Sequence, residues 1–368
     1  MSGPEIRVVH VVVAGDIGGA ERLLVDLASR PQASRASHAV ALMTPNRKLA
    51  AMFDKAGLQV IDRGPVRENA LAYLWRSLGP ADVQWLEEVF RRERATIAHL
   101  HTFASHVLGT RAARRANLPI LRTEHHVQYF IDRDTAPFTR WSLARINASV
   151  AVSQYVADAV IAIAPEIAPK MHVVRNGVDA TYFEPREPSA AAAGRPFTFV
   201  VVCRLEAWKG IDLVIEAAAR HKGFDLEIVG EGSERPRLEA LVTARGLAPR
   251  VRFLGYRPDP RGAIADADAF VSASKDEPLG LSVLEALAMA RPVVAFAQGG
   301  IPEIVQHGET GWLVKDRRPE ALGLAMAEAA KDRERARMVG QAGRRFIERD
   351  CRVEKMCEGY AAIYEKLA

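Results

Sequence analysis

The segment Ser274–Ala288 places two carboxylates, Glu277 and Glu285, on either side of Gly280. Pro278 and Gly280 disfavour an earlier helix start, and the apolar spacing that follows is helical, so a helix is predicted to begin near Gly280. Its first N–H groups and positive dipole end then face the preceding loop, where an anion such as a diphosphate binds readily. Glu277 lies just before that helix end and Glu285 about one turn inside it. The two could bind hydroxyls on either side of a diphosphate, which is the layout of a nucleotide-sugar.

Two cations, Arg204 and Lys209, directly follow the predicted strand Phe197–Cys203. At the carboxyl end of a strand, such a pair can hold a diphosphate and stabilise the charge that builds on it as it leaves. Alone, the pair would be surface charge. Its place in the same half of the chain as Glu277 favours a phosphate site.

A glycine-rich turn, Gly15–Glu21, follows the first predicted strand and opens a helix. Its glycines allow the backbone to approach a phosphate or a sugar closely, although a plain tight turn is the alternative. Neither this turn nor Gly230–Arg235 has the complete glycine spacing of a dinucleotide site. We therefore do not predict nicotinamide or flavin binding.

Histidines follow two of the predicted strands, namely His99, His101, His125 and His126. Contact of His125 with a sugar hydroxyl is the preferred role, whereas His99 is expected to be a core group. The histidines lack helical His-x-x-x-His spacing and a carboxylate partner set, so no metal is predicted. Asp266-Ala-Asp268 precedes a strand and is expected to be a solvated turn.

Short β-branched runs alternate with helical stretches such as Gly19–Ser29 and Asp82–Arg94. This alternation predicts two parallel sheets built from βαβ units. The strands of the first are predicted at Ile6–Val13, His38–Met43, Gln59–Asp62, Ile97–His101, Ile120–Thr123, Ser149–Ser153 and His172–Arg175. Those of the second are predicted at Phe197–Cys203, Asp225–Val229, Val251–Leu254, Ala269–Ala273, Val293–Phe296 and Trp312–Val314.

The segment 186–196 interrupts this alternation and is predicted to be a linker. It would join an acceptor-binding Rossmann-like domain at 1–185 to a nucleotide-sugar-binding one at 197–350. Ligands of such sheets bind outside the carboxyl ends of the strands, so a substrate in the cleft between the domains is expected. The helix at about Val353–Leu367, within 351–368, could cross back to the first domain.

Composition is that of a globular protein, with 368 residues, 49% hydrophobic and 26% charged. No apolar run is long enough to span a bilayer, and the N-terminus leads straight into a strand, so a signal peptide is not predicted. Three cysteines without metal-ligand spacing favour a reducing cytoplasm.

The net charge is +5, with most of the excess in residues 1–185. A solvated arginine-rich surface explains it best, and Arg111, Arg114 and Arg115 form one helix face of that kind. Peripheral attraction to an anionic membrane face, or to an anionic acceptor, is the alternative. Nucleic-acid binding is not predicted, because no basic motif is interleaved with aromatics.

Taken together, these stretches resemble glycosyltransferase family 4, the retaining enzymes of GT-B fold, over nearly the whole chain. The matching segments, in chain order, are Gly18–Glu21, Val173–Asp179 with Phe183, Arg204–Gly210, Ile228–Gly232, Phe253–Tyr256, Glu277–Glu285, Arg291–Val294 and Gly299–Gly311.

The resemblance implies a role for each candidate residue. Arg204 and Lys209 would hold the diphosphate, Glu285 the ribose and Glu277 the ring hydroxyls of the donor sugar. Backbone at Gly280 and Leu281 would contact the distal phosphate, and backbone near Tyr256 the base. His125 would lie by the sugar's primary alcohol, and Gly19 near the diphosphate and the acceptor.

The implied activity is transfer of a hexose from a UDP- or GDP-linked sugar to a saccharide or lipid-linked acceptor, in bacterial cell-envelope (lipopolysaccharide) or exopolysaccharide synthesis. No protein nucleophile is evident, so attack by the acceptor from the leaving group's side is the favoured mechanism, with a phosphate oxygen taking the proton. Cations and the helix end stabilise the departing diphosphate, so neither a metal nor another cofactor is required.

Two other classes of function remain open. An enzyme of the same fold could be a nucleotide-sugar epimerase, which needs no acceptor, or a sugar phosphorylase, which needs phosphate or a pyridoxal cofactor. A non-catalytic two-domain ligand-binding protein would have no use for two cations beside Glu277.

Overall fold

The computed structural model describes residues 5–13, 18–64, 66, 75, 76, 78–101, 103–187 and 194–368. The chain forms two compact units, one of Met1–Gly177 with Val353–Ala368 and the other of Val178–Arg352. Each unit carries a parallel sheet, which confirms the α/β fold with two Rossmann-like domains. The units divide at Gly177/Val178, earlier than the predicted boundary at 185. Residues 188–193 of the predicted linker lie outside the described residues.

Within its described residues, the first unit has a seven-stranded parallel sheet in the order β3-β2-β1-β4-β5-β6-β7. Its central strands are almost wholly buried, as in parallel sheets covered on both faces. The strands are β1 (Arg7–Val12), β2 (Ser37–Leu42), β3 (Gln59–Asp62), β4 (Ile97–Leu100), β5 (Ile120–Glu124), β6 (Ala148–Ala151) and β7 (Met171–Val173). The helices between them are α1 (Gly19–Ala28), α2 (Pro31–Ser34), α3 (Arg47–Lys55), α4 (Ala81–Arg92), α5 (Phe103–Arg115), α6 (Gln128–Ile131), α7 (Ala136–Leu143) and α8 (Gln154–Ile163), with a 3₁₀ turn at Pro165–Lys170.

In the second unit, the described residues form a six-stranded parallel sheet in the order β10-β9-β8-β11-β12-β13. The strands are β8 (Phe197–Val202), β9 (Phe224–Val229), β10 (Val251–Gly255), β11 (Ala269–Ser272), β12 (Val293–Phe296) and β13 (Gly311–Val314). The helices are α9 (Ile211–Arg220), α10 (Arg235–Ala244), α11 (Arg261–Asp266), α12 (Leu281–Ala288), α13 (Pro319–Ala330) and α14 (Arg333–Asp350), with 3₁₀ turns at Ala207–Lys209 and Ile301–Glu303. The chain leaves the central strand β8 toward β9 on one side and later returns to β11 on its other side. The order of strands therefore reverses at β8, where ligands of such sheets bind.

The final helix, α15 (Val353–Leu367), belongs to the first unit and packs on its core. Two fully buried tyrosines of α15 attach it to the sheet by hydrogen bonds. The Tyr364 hydroxyl lies 2.9 Å from His99 Nδ1, and the Tyr360 hydroxyl lies 3.1 Å from Thr123 Oγ1. Thr123 Oγ1 is in turn 2.8 Å from His99 Nε2. His99 is therefore a hydrogen-bonded core group, as predicted.

Replacing Tyr364 with phenylalanine is expected to destabilise the protein by about 1–3 kcal/mol, because His99 Nδ1 would stay buried without its partner. Urea unfolding followed by circular dichroism measures the change. The matched control is Tyr182→Phe at a tyrosine that is 46% exposed. Equal midpoints for the two variants would show that this hydrogen bond contributes nothing to holding α15.

None of the helices in the described part of the chain is long and apolar enough to cross a bilayer.

Candidate functional site

The loop before α12 and the first turn of that helix form the centre of the site in the second unit. Helix α12 starts at Leu281, as the spacing predicts, and Gly280 precedes it with φ 99°, a conformation that favours glycine. Its N-cap residue is Gly280, which has no side chain to cap the helix. Its first backbone N–H groups therefore face the loop that carries Glu277, where they can bind an anion.

A second glycine-containing loop, Gly299–Gly300, follows β12 and holds the backbone of Glu277. The Gly300 N–H donates to the Glu277 carbonyl at 2.8 Å. A Cβ on Gly299 would lie 2.3 Å from that carbonyl oxygen, and one on Gly300 would lie 2.2 Å from the Pro278 oxygen. Both positions thus need glycine for the two loops to touch. This contact fixes the backbone of Glu277 and so the position from which its side chain extends.

Lys209 and Glu277, which follow β8 and β11, form an ion pair in the second unit. Lys209 Nζ lies 2.6 Å from Glu277 Oε2, and the two side chains are only 12% and 15% exposed. The ammonium also lies 3.9 Å from the centre of the Trp208 ring. The sequence predicts that both residues lie in one region, but it does not predict that they pair with each other. The lysine charge is thus held on Glu277, whose Cγ would lie 3.4 Å from a Cβ on Gly280, the residue before α12. A cation in this place suits a phosphate group.

The backbone next to Lys209 is fixed by close contacts with the end of β11. Gly210 has φ 66°, and a Cβ there would lie 2.4 Å from the Ala273 oxygen. Arg317 donates to the same oxygen at 3.1 Å, and its guanidinium stacks over Phe296 at 5.6 Å. Arg317 is not among the residues predicted from the sequence, because it lies in the loop after β13 and belongs to no recognisable motif. It supports the backbone of the site and carries a positive charge close to it.

The remaining predicted donor residues occupy the same edge of this sheet or α12. Arg204 follows β8 and is exposed, and Tyr256 follows β10 with 62% of its side chain exposed. Glu285 is buried in α12, at 6% exposure. Arg204 is thus accessible from solvent, whereas the Glu285 side chain is buried.

Cys203 lies at the end of β8, immediately before Arg204. Burial raises the pKa of its thiol to about 12, an effect that nearby Lys209 opposes and Glu277 reinforces. The thiol is therefore neutral at physiological pH and is a poor nucleophile.

In the first unit, Gly19 and His125 follow β1 and β5. Gly19 is exposed in the first turn of α1, where the Gly18 N–H donates to Glu21 Oε2 at 2.8 Å. Residues 15–17 of this predicted turn lie outside the described residues. His125 is 6% exposed, and its Nε2 has no hydrogen-bond partner among the described residues. Burial, and then the charges of His101 and His126, keep the pKa of His125 well below its ordinary value, so its ring is neutral.

Two further groups considered in the sequence, the aspartates at 266 and 268 and the arginines of α5, make contacts that hold the fold. Asp268 accepts the Thr198 N–H at 2.8 Å and pairs with Arg333 at 3.1 Å. Arg115 pairs with Glu87 at 3.3 Å, and Arg111 donates to the Gly79 carbonyl at 3.0 Å. The second group is thus a partly solvated helix face. In the first group, Asp266 is the last residue of α11 and Asp268 is a half-buried, paired carboxylate, which differs from the solvated turn that was expected.

The sheet orders and the site place the chain among known folds. It superposes on the crystal structure of HepE from Anabaena in complex with UDP and glucose with a TM-score of 0.85, over 99% of this chain and 100% of that chain, at 22% identity. The fold is therefore GT-B, the two-domain architecture of many glycosyltransferases.

Sequence comparisons identify the family. Residues 17–182 match the pattern of Glycosyltransferase Family 4, and residues 183–346 match that of glycosyl transferases group 1. The chain is 30% identical to the alpha-maltose-1-phosphate synthase of Mycolicibacterium smegmatis over 77% of this chain and 82% of that protein. It is also 30% identical to the GDP-mannose-dependent alpha-(1-6)-phosphatidylinositol monomannoside mannosyltransferase of Mycobacterium tuberculosis, over 90% of each. The chain belongs to glycosyltransferase family 4 and is a hexosyltransferase.

Proposed function

We propose that this enzyme transfers a hexose from a UDP- or GDP-linked sugar to a saccharide or lipid-linked acceptor, with retention of anomeric configuration. The observation that carries the proposal is the Lys209–Glu277 pair beside the uncapped start of α12. A cation, a carboxylate and free N–H groups meet there, and a nucleotide-sugar offers a complementary diphosphate next to a hydroxylated ring.

Binding of the donor would divide these groups between its two parts. The diphosphate lies at the start of α12, at the backbone of Gly280 and Leu281, with Arg204 and Lys209 as its counter-charges. Glu277 accepts hydrogen bonds from the sugar ring, and the Lys209 ammonium has enough donors to serve the carboxylate and a phosphate together. Glu285 accepts from the ribose, and backbone near Tyr256 contacts the base. Gly19 and His125 of the first unit are assigned to the diphosphate or acceptor and to the sugar's primary alcohol.

Transfer then proceeds on the face that the diphosphate leaves. The acceptor oxygen bonds to the anomeric carbon as the bond from that carbon to the phosphate oxygen breaks. The acceptor proton passes to a phosphate oxygen, so neither a protein base nor a metal is needed. Arg204, Lys209 and the helix end act where negative charge develops, which is the interaction that lowers the barrier.

The role in the cell that we propose is the synthesis of envelope glycolipid or exopolysaccharide. One relative supports a lipid-linked acceptor. The mycobacterial mannosyltransferase is named for transfer to a phosphatidylinositol monomannoside, which is a glycolipid.

A donor screen followed by an acceptor test examines the proposal. UDP-glucose, GDP-mannose and related donors are added to the full chain, and the correct donor should raise Tm, since saturation at a hundred times Kd stabilises by about 2.7 kcal/mol. Release of nucleoside diphosphate should then depend on the acceptor and persist in EDTA. Donor conversion without acceptor would show an epimerase, dependence on free phosphate a phosphorylase, and binding without turnover a ligand-binding protein.

A further inference from the structure

The first unit contains a hydrogen-bonded line of side chains that the proposed function does not use. We call it the histidine chain, and it consists of Ser34, His38, His10 and His101. Ser34 Oγ lies 2.7 Å from His38 Nε2, and His38 Nδ1 lies 2.9 Å from His10 Nε2. His10 Nδ1 lies 2.8 Å from His101 Nε2. The chain thus leads from the end of α2, across β2 and β1, to the carboxyl end of β4.

The direction of the protons along this chain follows from its first member. The Ser34 hydroxyl lies 3.1 Å from the Arg30 carbonyl, which can only accept, so its one proton is donated there. Ser34 Oγ must then accept from His38 Nε2–H. A neutral imidazole has a single N–H, so His38 Nδ1 accepts from His10 Nε2–H. By the same step, His10 Nδ1 accepts from His101 Nε2–H.

Burial keeps every imidazole of the chain neutral, as this assignment requires. It lowers the pKa of His38 to about 4 and that of His101 to about 3. The pKa of His10 lies well below its ordinary value, through burial first and then the charges of His101 and His38. Each ring therefore has one proton at neutral pH, and His101 Nδ1 is left as an acceptor.

His101 Nδ1 has no hydrogen-bond partner among the described residues, although His101 is only 2% exposed. A second orphaned nitrogen, His125 Nε2, belongs to the neighbouring ring, and the ring centres lie 5.9 Å apart. The two residues follow β4 and β5, which are adjacent strands of the sheet. Buried polar atoms rarely stay unpaired in native proteins, so two such atoms side by side indicate a polar ligand.

A metal ion does not explain the cluster as well. Ring nitrogens of His10, His99 and His101 lie within 4.8 Å of one another. However, both nitrogens of His99 and both of His10 are already in hydrogen bonds of 2.8–2.9 Å. A metal would have to break several of these bonds, whereas a hydroxyl donor at His101 Nδ1 breaks none.

We propose that His101 is a further substrate-binding residue, fixed by the histidine chain as its Nε2–H tautomer, and that its Nδ1 accepts a hydrogen bond from a hydroxyl of the sugar that His125 contacts. This inference rests on the proposed function, because a sugar is the hydroxyl-bearing ligand. Ser34, His38 and His10 are positioning residues, since they act only by setting the proton of His101.

Two substitutions at His101 separate the binding role from a structural one. In His101→Asn, the side-chain carbonyl takes the position of Nδ1 and keeps the acceptor. In His101→Gln, the amide takes the position of Nε2, keeping the link to His10 but losing the acceptor. We expect KM for the sugar substrate to stay within about threefold in the first and to rise about tenfold in the second, as for loss of one hydrogen bond. Equal KM values in the two variants would overturn the proposal.

Nitrogen-15 NMR of the histidine rings in the unliganded full chain tests the tautomer without any substrate. We expect His101 Nδ1 to be unprotonated at pH 7.5, and Ser34→Ala to give a mixture of tautomers, because the proton order is then no longer fixed. A proton on Nδ1 in the unsubstituted chain would overturn this inference and leave the proposed transfer standing. The expected tautomer without turnover of any donor would instead refute the proposed function, and the sugar contact with it.

Discussion

Lys209→Ala is expected to lower the turnover of sugar transfer by about 100- to 1,000-fold, the usual effect of removing one group that stabilises charge in a transition state. Lys209 Nζ lies 2.6 Å from Glu277 Oε2, and Glu277 is in the loop that leads into α12, at whose start the departing diphosphate is proposed to lie. Its removal leaves Glu277 unpaired. However, that carboxylate is 15% exposed, so water can solvate it in part and the chain should still fold.

Initial rates at saturating donor, with Tm and circular dichroism on the same samples, measure this effect. Lys275→Ala is the matched control, because it removes an exposed lysine from the same loop as Glu277 and has no role in the proposed site. The control should transfer sugar at the unsubstituted rate. Near-normal turnover by a folded Lys209→Ala protein would refute the assignment of this lysine.

Gly299→Ala is expected to abolish most donor binding, raising Kd by at least about tenfold, and to destabilise the second unit by roughly 1–3 kcal/mol. Gly299 has φ 61°, and its new Cβ would lie 2.3 Å from the backbone carbonyl oxygen of Glu277. One of the two loops must therefore move, and Glu277 and its ion pair with Lys209 move with it. No atom of Gly299 is itself proposed to contact the donor, so the loss would show that the loop contact positions Glu277.

Gly308→Ala is the matched control, because it has the backbone strain of a positive φ without a steric clash of the new Cβ. Gly308 has φ 83°, but nothing lies within 4 Å of a Cβ there, so the substitution has only the conformational cost. Thermal unfolding should show a loss of stability in both variants, with the larger loss in Gly299→Ala. Titration calorimetry with the donor should show weaker binding only in Gly299→Ala. Equal donor affinities in the two proteins would mean that Glu277 does not depend on the glycine loop.

Local patterns in the sequence were sufficient to predict the fold. Each predicted strand is present within one or two residues, because buried parallel strands are continuous apolar runs bounded by turns. The start of α12 at Leu281 was also predictable, since proline and glycine mark a helix start by their backbone preferences. Arg204, Lys209 and Glu277 could be assigned to one edge of a sheet by the same logic.

The contacts made across strands could not be predicted from sequence. The Lys209–Glu277 pair depends on β8 and β11 being neighbours, and these strands are separated by β9 and β10 along the chain. Arg317 contacts Ala273 for a similar reason, as a residue after β13 that reaches back to the end of β11. The histidine chain requires the register in which His10 pairs with Val40 on β2 and with His99 on β4, because His38 and His101 are each two residues away from these partners. Residue spacing shows which groups share a sheet edge, but the pairing within it is set by sheet order and register.

The first unit is discontinuous in sequence, because Val178–Arg352 lies between its two parts. All of the second unit is therefore synthesised before α15. At about 5–20 residues per second, translation of that stretch takes roughly 9–35 s. During this time His99 and Thr123 have been synthesised, but the tyrosines that bond to them in the folded protein have not. The first unit therefore finishes folding after the second has been made, and until then water or a chaperone has to cover the face of the sheet on which α15 finally packs.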